Sequence, residues 1–171
     1  FSDFWRRLGR SHKRGGGLGS WGLGKLAFPA TSIARTFFGL TVRSEGSPGP
    51  FLLGQTILQH HEIDGEKYAP YGFFAEHKDG FELPVSDEAK ISRFKDAFGI
   101  TRSGEPGLSI AVPFVSADLR EKEIIPLILR NYAFPILTGK LEVTVGDEKL
   151  DAGSKRPRGV ARPALADAQD R

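Results

Sequence analysis

Six glycines fall within the eleven residues 15–25, GGGLGSWGLGK, which end on Lys25 and run directly into Leu26-Ala27-Phe28. Glycine reaches positive φ at no steric cost and lets another group come close, so successive amides in such a run can turn toward one point. Where the run opens a helix, those amides and the helix dipole form a site for an anion, and a phosphate is the natural guest. Trp21, Leu23 and Leu26 sit among the glycines, and a plain flexible linker seldom carries such side chains.

Three phosphate motifs compete for these residues. Gly19 to Lys25 match the GxxxxGK of a Walker A loop, but Leu26 stands where a magnesium-binding hydroxyl is needed. That loop also follows a buried strand, whereas SHKRGGGL precedes this one. Gly17, Gly19 and Gly22 give GxGxxG, without the preceding strand or the acidic residue about 20 positions on that a dinucleotide site requires. The third reading comes from the elements around the glycines.

In chain order, residues 1–8 (FSDFWRRL) place Phe1, Phe4, Trp5 and Leu8 on one face of a short helix. A basic connector, GRSHKR, leads into the glycine run, and a helix is expected from there to about Ala34, bent or begun by Pro29. Residues 35–43 (RTFFGLTVR) read as a strand, SEGSPGP as a turn, and residues 51–63 as its antiparallel partner. Asp64-Gly65 and Asp79-Gly80 are turn signals, with shorter strand pieces at 68–76 and 81–83. Residues 86–98 form the strongest helix pattern, with Ser86 as N-cap, Ile91, Phe94 and Phe98 on one face, and Gly99 as the stop. Residues 108–115 read as a buried strand. A helix is expected within 117–133, with Ile125, Ile128, Leu129 and Tyr132 facing inward, and residues 140–145 close as a strand. Strands and helices do not alternate regularly, so the fold class is α+β, a two-layer sandwich with a largely antiparallel sheet.

GSWGLG at 19–24, then a helix, then the strand at 35–43, resembles the second glycine box of the GHKL ATPases. These include the ATP-binding part of gyrase, the heat-shock chaperone of that fold, histidine kinases and MutL. Residues 10–11 resemble the start of their ATP lid, Gly107-Leu108-Ser109-Ile110 the late strand beside adenine, and residues 118–136 the helix and Pro-Ile turn that close the chaperone's nucleotide domain. FSDFWRRLGRSHK…GSWGLGK…FFGLTVR is similar to bacterial GHKL-type ATP-binding proteins. The resemblance spans about residues 1–150 and implies a Bergerat-like fold with ATP and magnesium as cofactors; the absence of cysteine agrees with a cytoplasmic setting.

It also implies roles. Gly19, Trp21, Gly22, Leu23 and Gly24 would border the triphosphate, the glycines through their amides. Lys25 would add a point charge, with Ser11 and Lys13 in the lid. Leu108 stands where a threonine is frequent, and Ser109 is the substitute for its adenine contact. The family's glutamate base, its magnesium-holding asparagine and its Asp-x-Gly-x-Gly adenine box belong upstream of Phe1. The chain is therefore read as a piece of a larger ATPase that binds nucleotide but does not hydrolyse it alone. A missing initiator methionine points the same way.

Charge supplies the rival reading. The chain's net charge of +3 is uneven: residues 1–25 carry six basic groups against Asp3, and the tail from residue 152 carries five against two. Between them acidic groups outnumber basic ones by five. Arg6, Arg7, Arg10, Lys13 and Arg14 beside Trp5, with Lys155, Arg156 and Arg158, could serve nucleic acid instead of ATP. Residues 151–171 are expected to be a disordered basic tail or linker. No apolar run approaches the roughly 18 residues that span a bilayer, and cysteine is absent. His60-His61 would point to opposite faces of a strand and so suit a surface better than a shared metal. A protein client and the oligomeric state are not specified by the sequence.

Overall fold

The computed structural model describes residues 26–46 and 49–153. The expected helix at 1–8, the lid, the glycine run and most of the basic tail lie outside the described residues. The chain divides after Ser116 into two compact units.

The first unit is built on β1 (Thr36–Val42), a strand whose TFFGLTV reads as nearly continuous apolar character because both of its faces are covered. It pairs antiparallel with β2 (Phe51–Ile57) through six registered residues, from Thr36↔Thr56 to Thr41↔Phe51. Its other side takes β8 (Gly107–Ala111), also antiparallel. Beyond β2 lies β5 (Tyr71–Phe74), giving the sheet order β5-β2-β1-β8. Two short hairpins flank β5 in sequence: β3 (His61–Ile63) with β4 (Glu66–Tyr68), and β6 (Glu76–Lys78) with β7 (Phe81–Leu83). In each, an Asp-Gly pair has positive φ at both residues, as a tight hairpin turn of two residues demands. Every strand pairing among the described residues is antiparallel, so the α+β class expected from the sequence is the one observed.

Alternation along the sheet divides its core in two. Leu40 and Leu52 lie on one face with Val85 and Ile91, and Phe38, Phe94 and Ile100 pack round them. Phe37 and Leu53 lie on the other face with Phe28, Ile110 and Val112. The first face is covered by α2 (Glu88–Phe98), the second by α1 (Ala27–Thr31) through Phe28, whose ring centroid is 5.5 Å from that of Phe37.

Gly54 is required on the α2 face. A Cβ there would stand 2.5 Å from the Phe38 ring and 2.9 Å from the Phe74 Cβ, in an aromatic cluster completed by Phe94 and Phe98. The Gly54→Val protein is therefore expected to lose about 1–3 kcal/mol through overpacking. A urea titration followed by far-UV circular dichroism measures that loss, and an unchanged midpoint would contradict the packing described.

Several boundaries differ from those expected. The helix after the glycine run stops at Thr31 and not Ala34, because Ser32 bridges to Val115 and Arg35 turns left-handed at φ 51°. Arg35 therefore precedes β1. The long second strand breaks after Ile57, since β1 offers no partner beyond Thr36 and the Asp64-Gly65 turn pairs residues 61–63 locally. The N-cap of α2 is Asp87, not Ser86: its Oδ1 accepts the Lys90 amide at 2.8 Å. Gly99 ends that helix at φ 61°, as expected. The strand expected at 108–115 is not a buried one: β8 is an edge strand, with Leu108 and Phe114 exposed.

The second unit contains α3 (Glu121–Leu137) and the hairpin β9 (Val143–Val145) with β10 (Glu148–Leu150). The helix passes through Pro126 and Pro135 and ends at Thr138-Gly139, so Pro135-Ile136 is helical and not a turn. Ile125, Ile128 and Leu129 are half-buried as expected, whereas Tyr132 is exposed. Lys149 lies 3.2 Å from Glu142 and 3.3 Å from Asp151, and those two carboxylates raise the pKa of its ammonium. No described helix is long and apolar enough to cross a membrane.

Candidate functional site

The candidate phosphate ligands Gly19, Trp21, Gly22, Leu23, Gly24 and Lys25, with Ser11 and Lys13 of the expected lid, all lie outside the described residues. The chain enters the structure at Leu26, already in right-handed helical backbone, and passes into α1 with no side-chain cap. Pro29 fits because the first turn of a helix has amides without helical partners, and it is buried. Five residues make a weak dipole.

A hollow of about 460 Å³ opens beside α1, bordered by Leu26, Pro29, Ala30, Arg35 and Ile57. Arg35 brings a cation there, and its carbonyl accepts the Ile57 amide at 3.0 Å. The segment after α1 is fixed to the far side of the sheet. The Ser32 hydroxyl donates to the Pro113 carbonyl at 2.7 Å, the Ile33 amide to Phe114 at 2.8 Å, and the Ser116 amide to Thr31 at 2.9 Å. Thus the residues that follow the glycine run are tied to those that follow β8.

At the start of β8 a second cavity, about 490 Å³, is lined by Gly99, Thr101, Arg102, Glu105 and Ser109. Arg102 is its organiser. Its Nε donates to the Ser109 Oγ at 3.1 Å, and its Nη1 to the carbonyls of Glu105 at 3.0 Å and Pro106 at 3.1 Å. The guanidinium lies over Gly107, where a Cβ would come within 2.6 Å of Nη1, and Gly107 has φ 152°, a conformation reserved for glycine. The Glu105 carboxyl is held below its ordinary pKa by its own backbone amide and then by the Ser103 amide, which donates at 2.9 Å.

Ser109, expected beside adenine, therefore already accepts a hydrogen bond from Arg102. Arg102 itself carries no signal in the sequence. An arginine five residues before a glycine forms no pattern, and only the fold of residues 103–106 shows the link.

Among the described residues the histidines do not combine. His61 stacks on Tyr68 at 5.5 Å and its Nδ1 lies 2.9 Å from the Gln59 carbonyl, while the His77 Nδ1 lies 3.2 Å from Glu82. Among the described residues no three histidine, aspartate or glutamate side chains are grouped to hold a metal ion. Asp118, Lys122 and Glu123 are exposed.

No protein-family model, curated protein or solved structure matches this chain.

Proposed function

We propose that this chain binds ATP as part of a GHKL-type ATPase, the glycine run holding the triphosphate. The observation that carries the reading is the sequence GGGLGSWGLGK placed directly ahead of a helix and then the central strand of an antiparallel sheet. Gly19, Gly22 and Gly24 turn their amides to the phosphates, Trp21 and Leu23 border them, and Lys25 adds charge. Ser11 and Lys13 approach from the lid. The pairing of β1 with β8 sets Gly107 to Ile110 on the strand next to the one that follows the glycine run, which supports their role near the base. In this reading the fold is Bergerat-like, and the setting is cytoplasmic.

Binding is the activity assigned to this chain alone. Hydrolysis needs a base to activate water and a metal to offset phosphate charge. The resemblance places both on an upstream glutamate and asparagine.

Titration of the full chain with a fluorescent ATP analogue tests the proposal. Saturable binding, displaced by unlabelled ATP and little changed by salt, is expected. Nucleic-acid binding is the alternative. It would appear as binding of a single-stranded oligonucleotide that falls steeply with salt and with loss of Arg6, Arg7 and Arg10. Oligonucleotide binding without ATP binding would overturn the nucleotide reading.

A further inference from the structure

The β5 edge of the sheet carries no charge, proline or bulge. Exposed edge strands are normally blunted by charged side chains, proline or bulges, because their free amides and carbonyls template another strand. Residues 71–74 are Tyr-Gly-Phe-Phe: no charge, no proline, and an unbroken register with β2 from Ile57↔Tyr71 to Gly54↔Phe74. The Leu58 amide bonds to the Pro70 carbonyl at 2.8 Å. Antiparallel ladders alternate, so Gly72 and Phe74 also turn their backbone groups toward β2, and those of Tyr71 and Phe73 point outward. Among the described residues these outward groups have no partner. All four residues are exposed. The opposite edge differs: at the start of β8, Arg102 covers Gly107 and binds Ser109.

Charge indicates what would pair there. The chain enters β5 from the β3–β4 hairpin and leaves into the β6–β7 hairpin. Residues 61–68 carry Glu62, Asp64 and Glu66 against Lys67, and residues 76–83 carry Glu76, Asp79 and Glu82 against Lys78. Each end of the edge is therefore formally −2. Glu62, Asp64, Glu66 and Asp79 are exposed and form no ion pair among the described residues. An antiparallel pairing of two copies through β5 would bring the hairpin of one against the oppositely placed hairpin of the other, acidic against acidic. A second copy is disfavoured on that ground.

We propose that the β5 edge receives an extended peptide segment with basic flanks, which adds a fifth strand to the sheet. Main-chain hydrogen bonds to Tyr71 and Phe73 supply the register, the exposed aromatic rings supply apolar contact, and the two acidic hairpins select the flanks. The inference is independent of nucleotide binding.

Fluorescence polarisation of the full chain with a labelled Lys-Lys-Val-Thr-Val-Thr-Val-Lys-Lys peptide tests it, with the same peptide flanked by glutamates for comparison. The basic peptide is expected to bind at least about tenfold more tightly at about 50 mM salt, the gap narrowing at about 500 mM as screening rises. Phe73→Pro deletes an outward amide while leaving the β2–β5 bonds intact, as proline on an edge strand can. It is expected to weaken the basic peptide at least about tenfold. Equal binding of the two peptides, or undiminished binding by a folded Phe73→Pro, overturns the proposal. Hydrogen exchange on the unaltered chain removes the dependence on that variant. Slowing of the Tyr71 and Phe73 amides by the basic peptide supports strand addition; unchanged exchange, or protection that follows self-association without peptide, overturns it.

Discussion

Phe37→Ala is expected to destabilise the sheet-bearing unit by about 3–5 kcal/mol, the range for removing a fully buried aromatic side chain. Phe37 has no exposed surface and lies near the start of β1, the strand with which both β2 and β8 pair. Its ring meets Phe28 of α1, with Leu53, Ile110 and Val112 in the same cluster. Backbone on either side is held by antiparallel ladders, so neighbours cannot collapse into the space, and the cavity term is added to the lost transfer energy. Against a whole-domain stability of about 5–15 kcal/mol, the loss is a large share. A urea titration by far-UV circular dichroism is expected to show a midpoint lowered by roughly 1–3 M with little change in slope. Phe114→Ala is the control. That ring is 73% exposed, and its loss is expected to cost under about 0.5 kcal/mol. Similar losses from both would refute the core assigned here.

The contrast between these two phenylalanines shows what the sequence can and cannot disclose. Composition makes them alike, and each sits in an apolar run. Phe37 is legible as core because Thr36–Val42 is rich in aromatic and branched residues and has turn chemistry soon after it. Phe114 misleads because continuous apolar character in 108–115 suggests a strand buried on both sides, whereas β8 takes the sheet's edge. Position in a sheet is decided by pairing between distant residues, which no local pattern encodes. The Asp-Gly turns and the Gly99 stop are legible for the opposite reason: each rests on positive φ, a property of one or two residues. The shift of the α2 cap from Ser86 to Asp87 is a finer matter, since both side chains can cap and the chain's path from Val85, bound to Leu52, chooses between them. Of the candidate site, the glycine pattern is visible at once, but the Arg102 anchor over Gly107 depends on geometry alone.

The nucleotide reading yields the second large effect. The doubly substituted chain Gly22→Ala, Gly24→Ala is expected to bind ATP at least about 30-fold more weakly, close to 2 kcal/mol. Glycine reaches positive φ freely and alanine does not, and in the proposed site the added methyl group would stand where phosphate approaches. If one or two charge-assisted hydrogen bonds are displaced, at about 1.5–3 kcal/mol each, a loss of that size follows. Lys25→Ala is expected to do less, since an ammonium on a flexible stem is a strongly hydrated point charge without fixed direction. These rank orders separate phosphate capture by backbone from capture by charge. Nucleic-acid binding would reverse them, with the arginines at 6, 7 and 10 dominating and the glycines nearly neutral. Isothermal titration of ATP into each variant, with the urea midpoint measured alongside, decides between the two. A double variant that retains the parent's affinity would remove the glycine run from the site, and with it the physical basis for a nucleotide there.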